Sequence, residues 1–129
     1  MFSHIMVGSN DIERSKKFYD GLFASVGGKP ARADDKGRLA YMNRDGIFMV
    51  TPPIDGQGAT HGNGTTIGFS CNSPEEVDAW QQAGIASGGT AIEDPPGIRT
   101  NAFGALYLAY LRDPDGNKLC ALHRVAQPA

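Results

Sequence analysis

The side chains best suited to holding a metal or making a bond are three histidines, His4, His61 and His123, and two cysteines, Cys71 and Cys120. A neutral imidazole is a good ligand for a divalent ion, and a thiolate is both a ligand and a nucleophile. Neither the cysteines nor the histidines fall in a metal-binding spacing, so free thiols in a reducing cytoplasm are the simplest expectation for Cys71 and Cys120. Asp113-Pro114-Asp115-Gly116 sets two carboxylates close together, which would suit acid–base work. The same four residues spell a tight turn, because Pro presets φ, Gly accepts positive φ and the acids cap backbone N–H groups. His61 sits in a Gly-rich stretch and is either a binding residue on a loop or a solvated one.

These side chains need elements to place them. Met1 to Val7 reads as a strand on which Phe2, His4 and Met6 share one face and Ile5 and Val7 the other. Asn10 or Asp11 can cap a helix whose apolar positions recur at Ile12, Phe18, Tyr19, Leu22 and Phe23, and Gly27-Gly28 ends it. Three short strands follow, over about 29–33, 38–43 and 47–51. Asp34 to Gly37 and Arg44-Asp45-Gly46 are the turns between them, and Pro52-Pro53 ends the third. After a Gly-rich linker over 54–63 the pattern restarts. Thr65 to Cys71 is a strand; Ser73-Pro74-Glu75-Glu76 opens a helix continued by Val77 and Trp80; Gly88-Gly89 closes it. Strands over 90–92, 105–112 and 118–124 complete the chain.

The order β, α, β, β, β therefore occurs twice, in halves 1–53 and 64–129. The chain reads as one α+β domain of two βαβββ modules. Each half buries one sheet face under its own helix, and the other faces curl around a shared cavity, a form that suits a small-molecule ligand. The length of 129 residues fits such a single domain. Hydrophobic residues make up 40% and charged ones 20%, which is ordinary for a globular protein. A net charge of -2 with no basic cluster argues against nucleic acid as partner. No apolar run approaches the roughly 20 residues of a membrane span, and no signal segment is visible, so a cytoplasmic setting is expected.

Three segments carry a family resemblance. His4-Ile5-Met6-Val7 with Asn10 to Ser15 and Phe18-Tyr19, then Gly62 to Phe69, then Tyr110 to Leu119 with its Asp113-Pro114-Asp115-Gly116-Asn117 hairpin, resemble the vicinal oxygen chelate superfamily of glyoxalases, bleomycin-resistance proteins and dioxygenases. The resemblance implies paired βαβββ modules around a ligand cavity, commonly in a homodimer. It also implies, in many members, a divalent metal held by a histidine on the first strand, a histidine on the fifth and a glutamate on the last.

Carried onto this chain, those positions fall on His4, Thr66 and Cys120, with a fourth-strand position near Met49 to Thr51. One histidine and one cysteine do not make an adequate catalytic divalent site, so no metal cofactor is expected; His4 would be the ligand if one bound. His4 and Cys120 remain the candidate catalytic pair, an imidazole that could activate a thiol, against the alternative of cavity-lining residues. Thr66, Met49, Arg99 and Phe103 are the candidate substrate-binding residues. By the resemblance Arg99 lies near the cavity mouth, where it could grip a carboxylate or phosphate as a fork, with a surface arginine as the equal alternative. The expected function is binding of a small molecule in the cavity with the metal site lost. The alternative is a metal-dependent lyase, dioxygenase or glutathione-linked transferase with an altered ligand set.

Overall fold

In the computed structural model, which describes residues 1–43 and 45–125, the chain forms eight strands and two helices. They run β1 (His4–Gly8), α1 (Ile12–Ala24), β2 (Arg32–Ala33), β3 (Leu39–Asn43), β4 (Gly46–Thr51), β5 (Ile67–Ser70), α2 (Pro74–Ala86), β6 (Thr90–Asn101), β7 (Gly104–Arg112) and β8 (Lys118–Arg124). The strands make two sheets of four with the same topology, β1-β4-β3-β2 and β5-β8-β7-β6. In each, the first strand pairs in parallel with the last, and the helix carries the chain from the first strand to the opposite edge of the sheet. Arg44 of the expected 44–46 turn, and residues 126–129 of the second half, lie outside the described residues.

The helix ends follow from local chemistry. The Asp11 side chain accepts from the Arg14 N–H and that of Ser73 from the Glu76 N–H, so each cap satisfies an N–H that the helix cannot. Both helices stop at a left-handed glycine, Gly27 (φ 84°) and Gly88 (φ 110°). The next N–H, of Gly28 or Gly89, returns to the carbonyl of Phe23 or Gly84.

One apolar core joins the halves. Phe18, Tyr19 and Leu22 of α1 and Val77 and Trp80 of α2 are fully buried, against Leu39, Phe48 and Val50 of one sheet and Leu111, Leu119 and Ala121 of the other. A second clasp is polar. The turn after β7 reaches the start of α1: Asp115 accepts from the Asn10 N–H (2.9 Å), Arg14 (2.8 Å) and the Ser15 hydroxyl (3.2 Å). Asp113 accepts from the Tyr19 hydroxyl at 2.5 Å, and Asn117 donates to the Gly8 carbonyl. The Asp113 to Gly116 acids are thus a turn and a clasp between halves.

The sixth strand departs from expectation. It runs from Thr90 to Asn101, past the Pro95-Pro96-Gly97 cluster that reads as its end. A sheet edge tolerates this, because β6 pairs only with β7 and the prolines fall in an irregularity between Ile92 and Gly97 where the ladder is interrupted. Arg99 accordingly lies within β6, paired with Leu106, and not in a loop before β7. No helix among the described residues is long and apolar enough to cross a membrane.

Candidate functional site

Strand alternation sorts the candidates onto the sheet faces turned away from the helices. In the first sheet, Val7, Phe48 and Val50 point into the core. The opposite face carries His4 and Met6 of β1 beside their partners Ile47 and Met49 of β4. His4 is exposed, and its Nδ1 lies 2.8 Å from the Ser3 hydroxyl. A cavity of about 730 Å³ opens beside the C-terminal end of α1, lined by His4, Phe23, Tyr41, Ile47, Phe69 and Trp80 among others, while Met49, Thr66 and Cys120 lie outside its lining. Thr66 is exposed and immediately precedes β5.

In the second sheet, Ala109, Leu111, Leu119 and Ala121 belong to the shared core, so their neighbours in sequence face outward. Leu106, Leu108 and Cys120 are buried there in a separate cluster with Tyr110 and Leu122. Cys120 pairs with Tyr110 across β7 and with Gly68 across β5. Charged groups rim this apolar patch. Lys118 Nζ lies 4.9 Å from the Tyr110 ring centroid and forms an ion pair with Glu93, while the Arg99 guanidinium carbon lies 6.0 Å from the same ring.

Burial pushes the Cys120 thiol above its ordinary range, and the negative Glu93 adds to this; the Tyr110 hydroxyl, Lys118 and Arg99 pull the other way without reversing it. Cys120 is therefore a neutral thiol at neutral pH. Burial, with Glu76 and Cys120 nearby, raises Cys71 to about 11. Burial likewise raises the Tyr110 hydroxyl, helped by Cys120 and Glu93.

The structure brings Cys120, Tyr110, Lys118, Glu93 and Arg99 together on the second sheet, and His4, Met6 and Met49 on the first. Phe103 stands apart, exposed at the tip of the β6–β7 hairpin. Arg99 spends Nη1 on the carbonyls of Gly97 (3.0 Å) and Leu108 (2.6 Å) and Nη2 on that of Asp94 (2.8 Å). That arrangement braces the β6 irregularity and leaves only its Nε edge and one Nη2 hydrogen for a ligand. Among the described residues no three His, Cys, Asp or Glu side chains gather in a form that could hold a metal. A hydroxyl at Thr66 and a protonated thiol at Cys120 are poor partners for His4 around a divalent ion.

Sequence reading passes over Glu93 and Tyr110 as site residues. The two-residue period of β8 already puts Lys118 on the face of Cys120, but nothing local says that the chain turns Glu93 back toward it. Glu93 has a φ of 59°, and it alone among the described non-glycine residues is left-handed.

Comparison with known proteins gives a consistent picture. A family model described as the glyoxalase/bleomycin resistance protein/dioxygenase superfamily matches residues 1–121. A crystal structure of a glyoxalase/bleomycin resistance protein from Albidiferax ferrireducens is 60% identical, covers 96% of this chain and 99% of its own, and superposes with a TM-score of 0.93. A family enzyme from Burkholderia phytofirmans (19% identical, 95% and 98% covered, TM-score 0.73) shares the fold. So does a lactoylglutathione lyase from Agrobacterium tumefaciens (18% identical, 95% and 92% covered, TM-score 0.66). No curated protein matches the chain.

Proposed function

Because this chain belongs to the glyoxalase/bleomycin resistance protein/dioxygenase superfamily, we propose that it binds a small, partly apolar molecule on the hollow faces of its sheets without the help of a metal. One observation carries this reading. Where the family resemblance places a glutamate ligand on the last strand, this chain has Cys120, a buried neutral thiol set among Leu106, Leu108 and Leu122. The cavity of about 730 Å³ is itself lined largely by apolar and aromatic side chains, among them Phe23, Ile47, Phe69 and Trp80, so it favours apolar ligand atoms and disfavours a cation.

His4 lines the cavity, Met49 shares its sheet face, and Thr66 immediately precedes β5. The protein works as a homodimer in the cytoplasm, as the family resemblance implies.

Two measurements test this. A thermal-shift screen of small apolar compounds should return stabilising ligands, since a ligand at 100 times its Kd adds roughly 2.7 kcal/mol to the folded state. Elemental analysis of protein purified without chelator should find far less than one transition-metal ion per chain. A stoichiometric ion would replace this reading with a metal-dependent lyase, dioxygenase or glutathione-linked transferase.

A further inference from the structure

We propose that Asn63 is a site of spontaneous deamidation, which converts it to aspartate and isoaspartate in the folded protein. The inference stands apart from the binding reading above and needs no ligand.

The chemistry is intramolecular. The backbone nitrogen of the next residue attacks the side-chain carbonyl carbon of asparagine. The new C–N bond forms as the bond to the side-chain amide nitrogen breaks, and ammonia leaves with the proton that the backbone nitrogen gives up. Water then opens the succinimide ring. Opening at the side-chain carbonyl gives aspartate, and opening at the main-chain carbonyl gives isoaspartate, with one extra methylene in the backbone. The attack needs an unbonded backbone N–H, an uncrowded following residue and a backbone free to rotate. Glycine in the following position meets the last two best, because it has no Cβ.

Of the six asparagines, only Asn63 precedes a glycine. Asn63 and Gly64 are both exposed, at the centre of the turn from Gly62 to Thr65. One backbone bond closes that turn, from the Thr65 N–H to the Gly62 carbonyl, and at 3.5 Å it is long and opens at little cost. Neither the Asn63 side chain nor the Gly64 N–H is hydrogen-bonded among the described residues. Gly64 has a φ of 99°, and nothing lies within 4 Å of where its Cβ would stand.

Four of the other asparagines have their side chains tied. Asn10 is bonded to the backbone of Ala59, and Asn43 and Asn101 accept from the N–H groups of Asp45 and Phe103. Asn117 is buried and donates to Gly8 and Asp113. Asn72 precedes Ser73, whose extended backbone and side chain cap α2. Conversion of Asn63 adds one negative charge to a chain of net -2, just ahead of β5, whose Ile67 and Gly68 line the cavity.

Peptide mass spectrometry of the full chain tests this, after incubation in mildly alkaline buffer with and without urea. In the native protein the peptide carrying Asn63 should gain one mass unit before any other asparagine peptide does. It should resolve into two products of equal mass, and its rate should lie within about tenfold of the rate in urea. Asn63→Gln should remove the conversion, with a circular dichroism melt confirming that the variant folds. A native rate below that range would show that the fold protects the turn, and would overturn the proposal. Earlier conversion of a different asparagine would overturn it as well.

Discussion

At the scale of single residues, the most buried polar groups serve cohesion. The Tyr19 hydroxyl is fully enclosed and donates to Asp113, so Tyr19→Phe removes a charge-assisted bond at the joint between halves. Urea denaturation should show a loss of about 1–3 kcal/mol. Burial, with Asp113 beside it, pushes the Tyr19 hydroxyl well above its ordinary value, and burial with Asp20 does the same to Tyr41. The sign follows: the unfolded chain ionises its tyrosines first, near pH 10, so the contribution is complete below that pH and is lost as pH rises beyond it. Stability should fall steeply in alkaline solution, and Tyr41→Phe should flatten that limb in a pH series of urea melts. The same logic applies to Cys120. Its raised thiol should react with iodoacetamide at neutral pH about an order of magnitude more slowly than a free cysteine, and unfolding should abolish the difference. Fast alkylation in the native state would instead restore the nucleophile reading.

At the scale of elements, close approach decides what substitutions cost. Gly84 lies in the middle of α2, where alanine would ordinarily stabilise a helix by up to about 1 kcal/mol. A Cβ here would collide with Leu111 of β7 and press on Leu22 of α1, both rigid core side chains. Overpacking wins, so Gly84→Ala should destabilise by roughly 1–3 kcal/mol in thermal or urea melts. Strand β6 shows the opposite tolerance. Its prolines are harmless because an edge strand has one free side and the ladder is already broken between Ile92 and Gly97. Arg99 then replaces the missing ladder bonds with three donations to backbone carbonyls.

At the scale of the molecule, the halves share one core and one clasp, so they should unfold together. Fluorescence of Trp80 and far-ultraviolet circular dichroism should report coincident urea transitions. The Asp115 side chain is 2% exposed and accepts from three partners on the other half. Asp115→Ala strands those donors and should cost about 1–3 kcal/mol. A change in m-value with it would indicate that the halves had begun to separate. For the proposed homodimer, sedimentation equilibrium should return twice the mass of one chain. The mass of a single chain would count against the dimer.

Much of the architecture was legible in the residues because it rests on local chemistry. The caps at Asp11 and Ser73, the left-handed glycines at 27 and 88, and the two-residue alternation of β1, β5 and β8 each depend on a few neighbours in the chain. The doubled order of elements and the family resemblance were readable for the same reason, and so was Cys120 on one face with Lys118. The extent of β6 was not, since whether a proline breaks a strand depends on which edge of the sheet it occupies. The site's polar corner was not either. Glu93 meets Lys118 only because an interrupted ladder and a left-handed backbone turn it across Tyr110, and the ionisation of Cys120 depends on burial by residues distant in sequence. Periodicity sets the face a side chain takes; only the packed sheet sets its company and its charge.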